Sequence, residues 1–343
     1  VSHGEVGFGI IGLGRISRAH VNGLQDATGY ARITAVCDKD KELADRVARE
    51  VGAKPYTDYT ALLADADVTA IDAPLPHNLH YEVATRALEA GKHVLLEKPM
   101  APTSRECAQL IELARAKCLL FSVAENTPFV TAYQAVHELL KSGTIGEVRL
   151  IRTLISGSEV ARLNDTASWK GRSAGTVGGA IFDAGPHSFY LLKWLFGEVA
   201  LVQAIANKAI EVSEVEDNAV VAGRMASGAF FTTEYTFTAE IPWDERLEIY
   251  GSTGSVIVDQ LLDPPAVLYR GKTDVVGNPI AGVGHDPTGW KQKSIMAGVA
   301  AFARAVAEGK PPQVDPVDAM YAIKVIESSY ASVREGGRPV PVI

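Results

Sequence analysis

Val6-Gly7-Phe8-Gly9-Ile10-Ile11-Gly12-Leu13-Gly14-Arg15-Ile16-Ser17 decides the fold. Its first half alternates glycine with apolar residues and reads as a buried strand. Its second half is a G-x-G-x-x-S form of the dinucleotide fingerprint. Gly12 allows a tight turn, and Gly14 lets the backbone approach a pyrophosphate. A helix beginning near Arg15, with Ile16 in its first turn, would aim its N–H groups at the phosphates. Ser17 stands where a third glycine is usual and is still small enough for close helix–strand packing. Glycine-rich turns are common, so context matters. A second strand, Ile33 to Cys37, ends at Asp38, close to the ~20 residues expected beyond the glycines. A carboxylate there accepts hydrogen bonds from the adenosine ribose and repels a 2′-phosphate, which favours NAD; Arg15 and Lys39 leave NADP open. The competing role for Asp38 is the N-cap of the next helix.

Strand and helix then alternate. Helices are expected over Lys41–Val51, Tyr59–Ala64, His80–Ala90 and up to Ala116, with Thr103 as a cap. Strands are expected over Val68–Ala73, His93–Leu96 and Leu119–Ala124. This pattern predicts a doubly wound parallel sheet. Beyond Asn126 a helix over Thr131–Ser142 is followed mainly by strands, which predicts an α+β domain with a mostly antiparallel sheet. The division expected is a dinucleotide-binding domain over 1–126 and a second domain over 127–343. Gly277 to Trp290 reads as a long loop, with helices over Ser294–Glu308 and Val317–Arg334.

Composition excludes some partners. The 343 residues carry a formal net charge of −8 with no basic run, which argues against nucleic acid and anionic membrane. No apolar stretch approaches the roughly 20 residues that span a bilayer. No basic-then-apolar export signal precedes the first strand. Cys37, Cys107 and Cys118 form no CxxC, so core thiols in a cytoplasmic setting are expected.

Two constellations point to chemistry. Lys98, in Glu97-Lys98-Pro99, ends an apolar strand and so faces the crevice where ligands of parallel sheets collect. The other reading is a solvated lysine closing a strand. Asp183 and His187, if helical, lie one turn apart on one face. A carboxylate beside an imidazole orients it and stabilises its protonated form, as a general base for an alcohol requires. A buried ion pair joining helix to sheet is the alternative. Pro74 to His80, with Leu75 and Asn78 in it, makes a rigid loop at a strand's end. The spacing of His77 and His80 is compatible with metal, but no third ligand is near, and none is expected.

Together these pieces resemble the Gfo/Idh/MocA oxidoreductases, named for glucose–fructose oxidoreductase and inositol dehydrogenase. The resemblance rests on Gly12-x-Gly14, Ala90-Gly91-Lys92-His93-Val94 leading to Glu97-Lys98-Pro99-Met100, Gly143-x-Ile145-Gly146, Gly178-Gly179 with Asp183-x-Gly185-x-His187, and Gly251-Ser252-Thr253-Gly254-Ser255. It implies a Rossmann domain with NAD, a second domain with a large open sheet, and a homodimer or homotetramer. It also implies hydride transfer from a secondary alcohol of a sugar or polyol. His187 would take the hydroxyl proton, Lys98 would stabilise charge on the oxygen, and Asp183 would orient His187. Pro74, Leu75, Asn78, His80, Glu97, Asn126 and Trp169 would line the cofactor; Asn126, Arg172 and Tyr190 would bind substrate hydroxyls. The chain departs from the pattern at Tyr190, where many members carry an acid, in the short glycine run Gly178-Gly179, and at Pro128 before Phe129. Other outcomes within such a family are glycoside cleavage with a retained NAD, and ligand sensing without catalysis.

Overall fold

The computed structural model describes residues 4–343. The chain forms two compact units, one of residues 1–126 with 292–320 and one of 127–291 with 321–343. The first break falls at Asn126. The segment 292–320 belongs with the first unit, so that unit is built from two stretches of chain, which a linear division at residue 126 misses.

The first unit runs β1 (Val6–Ile11), α1 (Ser17–Asp26), β2 (Ala31–Cys37), α2 (Lys41–Val51), β3 (Lys54–Tyr56), α3 (Tyr59–Leu63), β4 (Ala70–Ala73), α4 (His80–Glu89), β5 (His93–Leu96), α5 (Ser104–Ala116) and β6 (Phe121–Val123). Every strand pairing is parallel and the order is β3-β2-β1-β4-β5-β6, the doubly wound order with its reversal between β1 and β4. The sequence placed the helix boundaries well because their caps are local. Gly52 ends α2 in the left-handed region at φ 71°. Thr103 and Glu106 form a reciprocal capping box on α5, worth about 1 kcal/mol. α1 begins at Ser17, two residues later than expected, after a turn in which Ser17 bonds the Gly14 carbonyl through its N–H and its hydroxyl. The three-residue edge strand β3 carries too little pattern to be read from sequence.

A further helix, α10 (Trp290–Glu308), contributes Ile295, Val299, Phe302 and Ala303 to the core that holds Phe8, Ile10 and Leu24. Phe302 packs its ring edge-to-face on Phe8 at 6.4 Å. Burying a side chain of this size contributes about 1.5–3 kcal/mol, which is what draws 292–320 back to this unit. Cys37 and Cys107 are buried, but Cys118 is exposed, just past α5, so the expectation of three core thiols fails there.

The second unit contains α6 (Thr131–Lys141), β7 (Val148–Ser156), α7 (Val160–Asn164), α8 (Ser173–Thr176), α9 (Ala180–Phe196), β8 (Val199–Asn207), β9 (Asn218–Met225), β10 (Phe230–Thr236), β11 (Asp244–Gly251), β12 (Ser255–Val258), β13 (Ala266–Tyr269), β14 (Asn278–Pro279), the later part of α11 (Pro316–Arg334) and β15 (Val340–Pro341). Its nine strands are ordered β14-β13-β12-β11-β7-β10-β9-β8-β15 and pair antiparallel except β10 with β7. The alternation of buried and exposed residues along β10 and β11 marks one covered face. Gly185 of α9 lies against Ile326 of α11, where an added Cβ would stand 3.1 Å away. The expected loop 277–290 holds the short strand β14 and the start of α10. Among the described residues, no helix is long and apolar enough to cross a membrane.

Candidate active site

Gly12 follows β1 with φ at 97°, a region strained for any side chain. A Cβ there would also stand 2.7 Å from the carbonyl oxygen of Pro74, the residue after β4. The protein itself therefore requires this glycine. Gly14 is different: a Cβ there would meet no protein atom within 4 Å. Nothing in the fold asks for glycine at that position, whereas a ligand approaching the backbone does. Asp38, just after β2, accepts the Leu13 N–H at 2.9 Å on one oxygen and the Asp40 N–H at 3.0 Å on the other. The N-cap of α2 is Asp40, whose side chain accepts the Leu43 N–H at 3.1 Å, so the capping role belongs to Asp40. A carboxylate offers about four lone-pair sites, and two remain on Asp38 for ribose hydroxyls. These features fit a dinucleotide at the reversal of strand order. Around them, Arg15, Ile16 and Asn78 are exposed, Leu75 is half-buried and Pro74 is buried.

Lys98 is half-buried beyond the end of β5. Its N–H donates to Glu97 Oε2 at 2.8 Å. Glu97 Oε1 lies 3.1 Å from Nε2 of His20 on α1, and His20 Nδ1 lies 2.8 and 3.0 Å from the two oxygens of Asp72 on β4. Burial alone would push the His20 imidazole down, but Asp72 and then Glu97 outweigh it and bring the pKa up to about 10. Burial likewise pushes Glu97 up, and the bond and charge of His20 with the charge of Lys98 outweigh it, so its carboxyl sits below the usual range. Neither His20 nor Asp72 stood out in the sequence. The available signal was an acid inside an otherwise apolar strand, since a buried carboxylate needs a partner.

His80 is put to another use than the expected cofactor contact. It is fully buried, with Nδ1 at 2.6 Å from the Pro99 carbonyl oxygen and Nε2 at 2.9 Å from that of Leu75. Burial, then the charge of His77, outweighs those carbonyls and lowers its pKa to about 4. A neutral ring donates to one carbonyl at a time. The ring lies between the loop after β4 and the turn after Lys98 and donates to one of them. Asn126 is buried, and its Nδ2 donates to Ser294 Oγ at 2.8 Å, tying the end of the β6 segment to α10. Among the described residues, no group of three or more His, Cys, Asp or Glu is placed to hold a metal ion.

In the second unit, α9 starts at Ala180 and runs through Pro186. Asp183 and His187 are therefore helical, one turn apart, and both buried. The start of α9 is fastened by Glu216. Its carboxylate accepts the Gly179 N–H and the Ile181 N–H, each at 3.1 Å, and the Tyr330 hydroxyl at 2.7 Å. Burial raises the pKa of Glu216 despite these donors. A negative group at a helix N-terminus is favourable. The short glycine run has a steric cause: a Cβ on Gly178 would collide with the Tyr330 hydroxyl, and one on Gly179 with the Glu216 carbonyl oxygen. Gly179→Ala should cost about 3 kcal/mol or more, because the obstruction is backbone. Thermal unfolding checks this, and a melting temperature within a degree or two of the parent's contradicts it.

The charges around Asp183 and His187 were only half legible. Asp183 has a cationic partner: its Oδ2 pairs with Lys170 at 2.8 Å, and Lys170 is 3.5 Å from Glu159. Lys170 also lies over the Phe237 ring at 5.1 Å. A second carboxylate, Glu245, is buried on β11. Burial pushes it up, but Lys291, then the charge of His187, then hydrogen bonds from Lys291 and Trp243 bring it down to about 2. Trp243 donates to it at 2.8 Å, and Lys291 lies over the Trp243 ring at 4.2 Å. Of the other expected residues, Tyr190 is buried in α9, Trp169 is half-buried, and Arg172 pairs with Glu214 at 2.9 Å. That ion pair gives the Arg172 guanidinium a protein partner of its own.

Comparison with known proteins converges. Residues 6–125 match the family model described as an oxidoreductase family with an NAD-binding Rossmann fold, and 133–257 match the GFO/IDH/MocA C-terminal domain. The chain is 33% identical over 287 residues to a dTDP-3,4-didehydro-2,6-dideoxy-alpha-D-glucose 3-reductase of Streptomyces violaceoruber, covering 82% of this chain and 79% of that one. It is 26% identical to the myo-inositol 2-dehydrogenase of Thermotoga maritima, over 96% of each. The fold matches the WlbA dehydrogenase of Bordetella pertussis, solved with NADH and UDP-GlcNAcA, with a TM-score of 0.89 and 23% identity over 100% of this chain and 99% of that one. The chain belongs to the Gfo/Idh/MocA family of oxidoreductases, with the family's NAD-binding Rossmann domain followed by its C-terminal domain.

Proposed function

We propose that this oxidoreductase moves a hydride between C4 of the nicotinamide of NAD and a secondary alcohol carbon of a sugar, polyol or related cyclic substrate. The observation that carries the reading is α9, which holds Asp183 and His187 buried and one turn apart, in a chain of this family that also keeps Lys98 after β5. NAD, when bound, supplies the hydride acceptor. His187 takes the hydroxyl proton as general base. Lys98 donates to the same oxygen and stabilises its developing charge. Asp183, fixed by Lys170, orients His187. Gly14 and Asp38 hold the dinucleotide at its pyrophosphate and ribose, with Arg15, Ile16, Pro74, Leu75, Asn78 and Trp169 around it. Asn126, Arg172 and Tyr190 are the proposed substrate contacts. The substrate class is supported by relatives named as acting on inositol, levoglucosan and a deoxyhexose nucleotide.

The test is absorbance of reduced nicotinamide as purified protein is mixed with NAD or NADP and a panel of polyols, sugars and anhydrosugars. A substrate-dependent rise with NAD supports the reading. Net glycoside cleavage with a tightly retained cofactor and no net reduction overturns it. Asp38→Ser should raise the KM for NAD by roughly tenfold or more, the value of a lost charge-assisted hydrogen bond. It should also improve NADP relative to NAD, since the charge facing a 2′-phosphate is gone. An unchanged ratio of kcat/KM for the two cofactors would remove Asp38 from the ribose site.

A further inference from the structure

We propose that His20 is a positioning residue for Lys98: held by Asp72, its imidazole fixes Glu97, and Glu97 fixes the Lys98 amide. The inference rests on the reading of Lys98 as a catalytic residue and adds how the chain places it.

His20 and Asp72 have side chains wholly shielded from solvent, and that of Glu97 is 9% exposed. Both ring nitrogens of His20 face carboxylates, at 2.8 Å for Asp72 and 3.1 Å for Glu97. An ionised carboxylate only accepts, so both nitrogens must donate and the ring is an imidazolium. The cluster is thus one buried cation between two buried anions. Buried charges are tolerated only in such paired, hydrogen-bonded arrangements, and the arrangement is rigid because moving any member strands another. The pKa of His20, drawn up to about 10, agrees with the donor count.

The placement of the three residues gives the cluster its consequence. His20 sits in the first turn of α1, the helix whose N-terminus follows the glycine turn. Asp72 lies in β4, and Glu97 follows β5, whose register with β4 pairs Asp72 with Leu95 and Ala73 with Leu96. One oxygen of Glu97 takes the His20 proton donor. The other takes the Lys98 N–H at 2.8 Å. A single ion cluster therefore links the helix expected to meet the cofactor phosphates to the backbone of the residue expected to meet the substrate oxygen. Small displacements of a catalytic group cost rate steeply, so the link acts on kcat more than on cofactor affinity. A neutral apolar residue at position 20 would fill the space but leave two buried carboxylates and a loosened Lys98.

The test uses the full-length protein. In wild type at pH 8, nitrogen NMR should show one histidine ring with both nitrogens protonated, absent from the spectrum of His20→Gln. A neutral His20 ring overturns the proposal. In His20→Gln, exchange of the Lys98 amide hydrogen should accelerate by roughly tenfold or more, and NAD affinity, read by quenching of protein fluorescence, should stay within about threefold. With the panel compound that wild type turns over, kcat should fall by roughly tenfold or more, and adding Lys98→Ala should lower it by less than in wild type. Unchanged Lys98 exchange, or normal kcat with only a lower melting temperature, would reduce His20 to a structural role. Should His20→Gln not fold, Asp72→Asn keeps an acceptor for Nδ1 and removes one charge, and a smaller change in the same exchange and kcat readouts is expected; none at all overturns the proposal. If Lys98→Ala alone turns over normally, the reading of Lys98 fails, and the exchange measurement still reports on the His20 link.

Discussion

Lys98→Ala lowers kcat by about 10²–10³ while NAD affinity stays within about tenfold. The magnitude follows from the role. Charge grows on the substrate oxygen as its proton leaves, and a donor aimed at that oxygen acts most strongly in the transition state. Removing it therefore costs rate in preference to binding. Lys98 is half-buried beyond β5, its amide is held by Glu97, and the His80 ring lies between the carbonyl oxygens of Pro99, just after it, and Leu75. The competing role, a lysine that only solubilises a strand end, has a different signature. It leaves kcat untouched, and a kcat within twofold of the parent's would falsify the mechanism. Lys98→Arg separates charge from geometry. A guanidinium keeps the charge but not the compact ammonium, so partial activity is expected.

The parallel sheet was legible because its signals are local. A glycine turn after an apolar strand, a carboxylate after the second strand, and caps such as Thr103 and Gly52 are set by backbone chemistry within a few residues. β3, β14 and β15 were missed because each has only two or three residues and none forms an apolar run, unlike β4, β5 and β6. The return of 292–320 to the first unit was not legible either, since nothing local says on which core Phe302 will pack. At the candidate site, sequence supplied the residues with recognisable chemistry, Lys98, Asp183 and His187. It did not supply their partners. Lys170 adjoins the flagged Trp169, yet its carboxylates lie eleven and thirteen residues away at 159 and 183. Glu245 comes under the influence of His187 only through the placement of β11, and His20 meets Asp72 across 52 residues. Charge pairing at such separations is a product of the fold, so the sequence names the reactive groups and leaves their charge balance unstated.

Lys170→Met should strongly destabilise the second unit at neutral pH. The Lys170 and Asp183 side chains are each 9% exposed, and that of Glu159 is 6% exposed. Methionine matches much of the lysine stem, so packing against Phe237 is largely kept and the lost term is charge. Removing one partner of a buried ion pair costs about 3–5 kcal/mol, because the other charge is left desolvated. Here Glu159 retains Arg162 at 3.0 Å, which moderates its share, whereas Asp183 loses the cation bonded to it. For a unit of this size that cost corresponds to a fall in melting temperature of roughly 6–20 °C. Melting curves at neutral pH read the effect. A fall of that size shows that the Lys170 charge is what the buried carboxylates around it require; a melting temperature within a degree or two of the parent's means that the lysine acts through its stem on Phe237 and not through its charge.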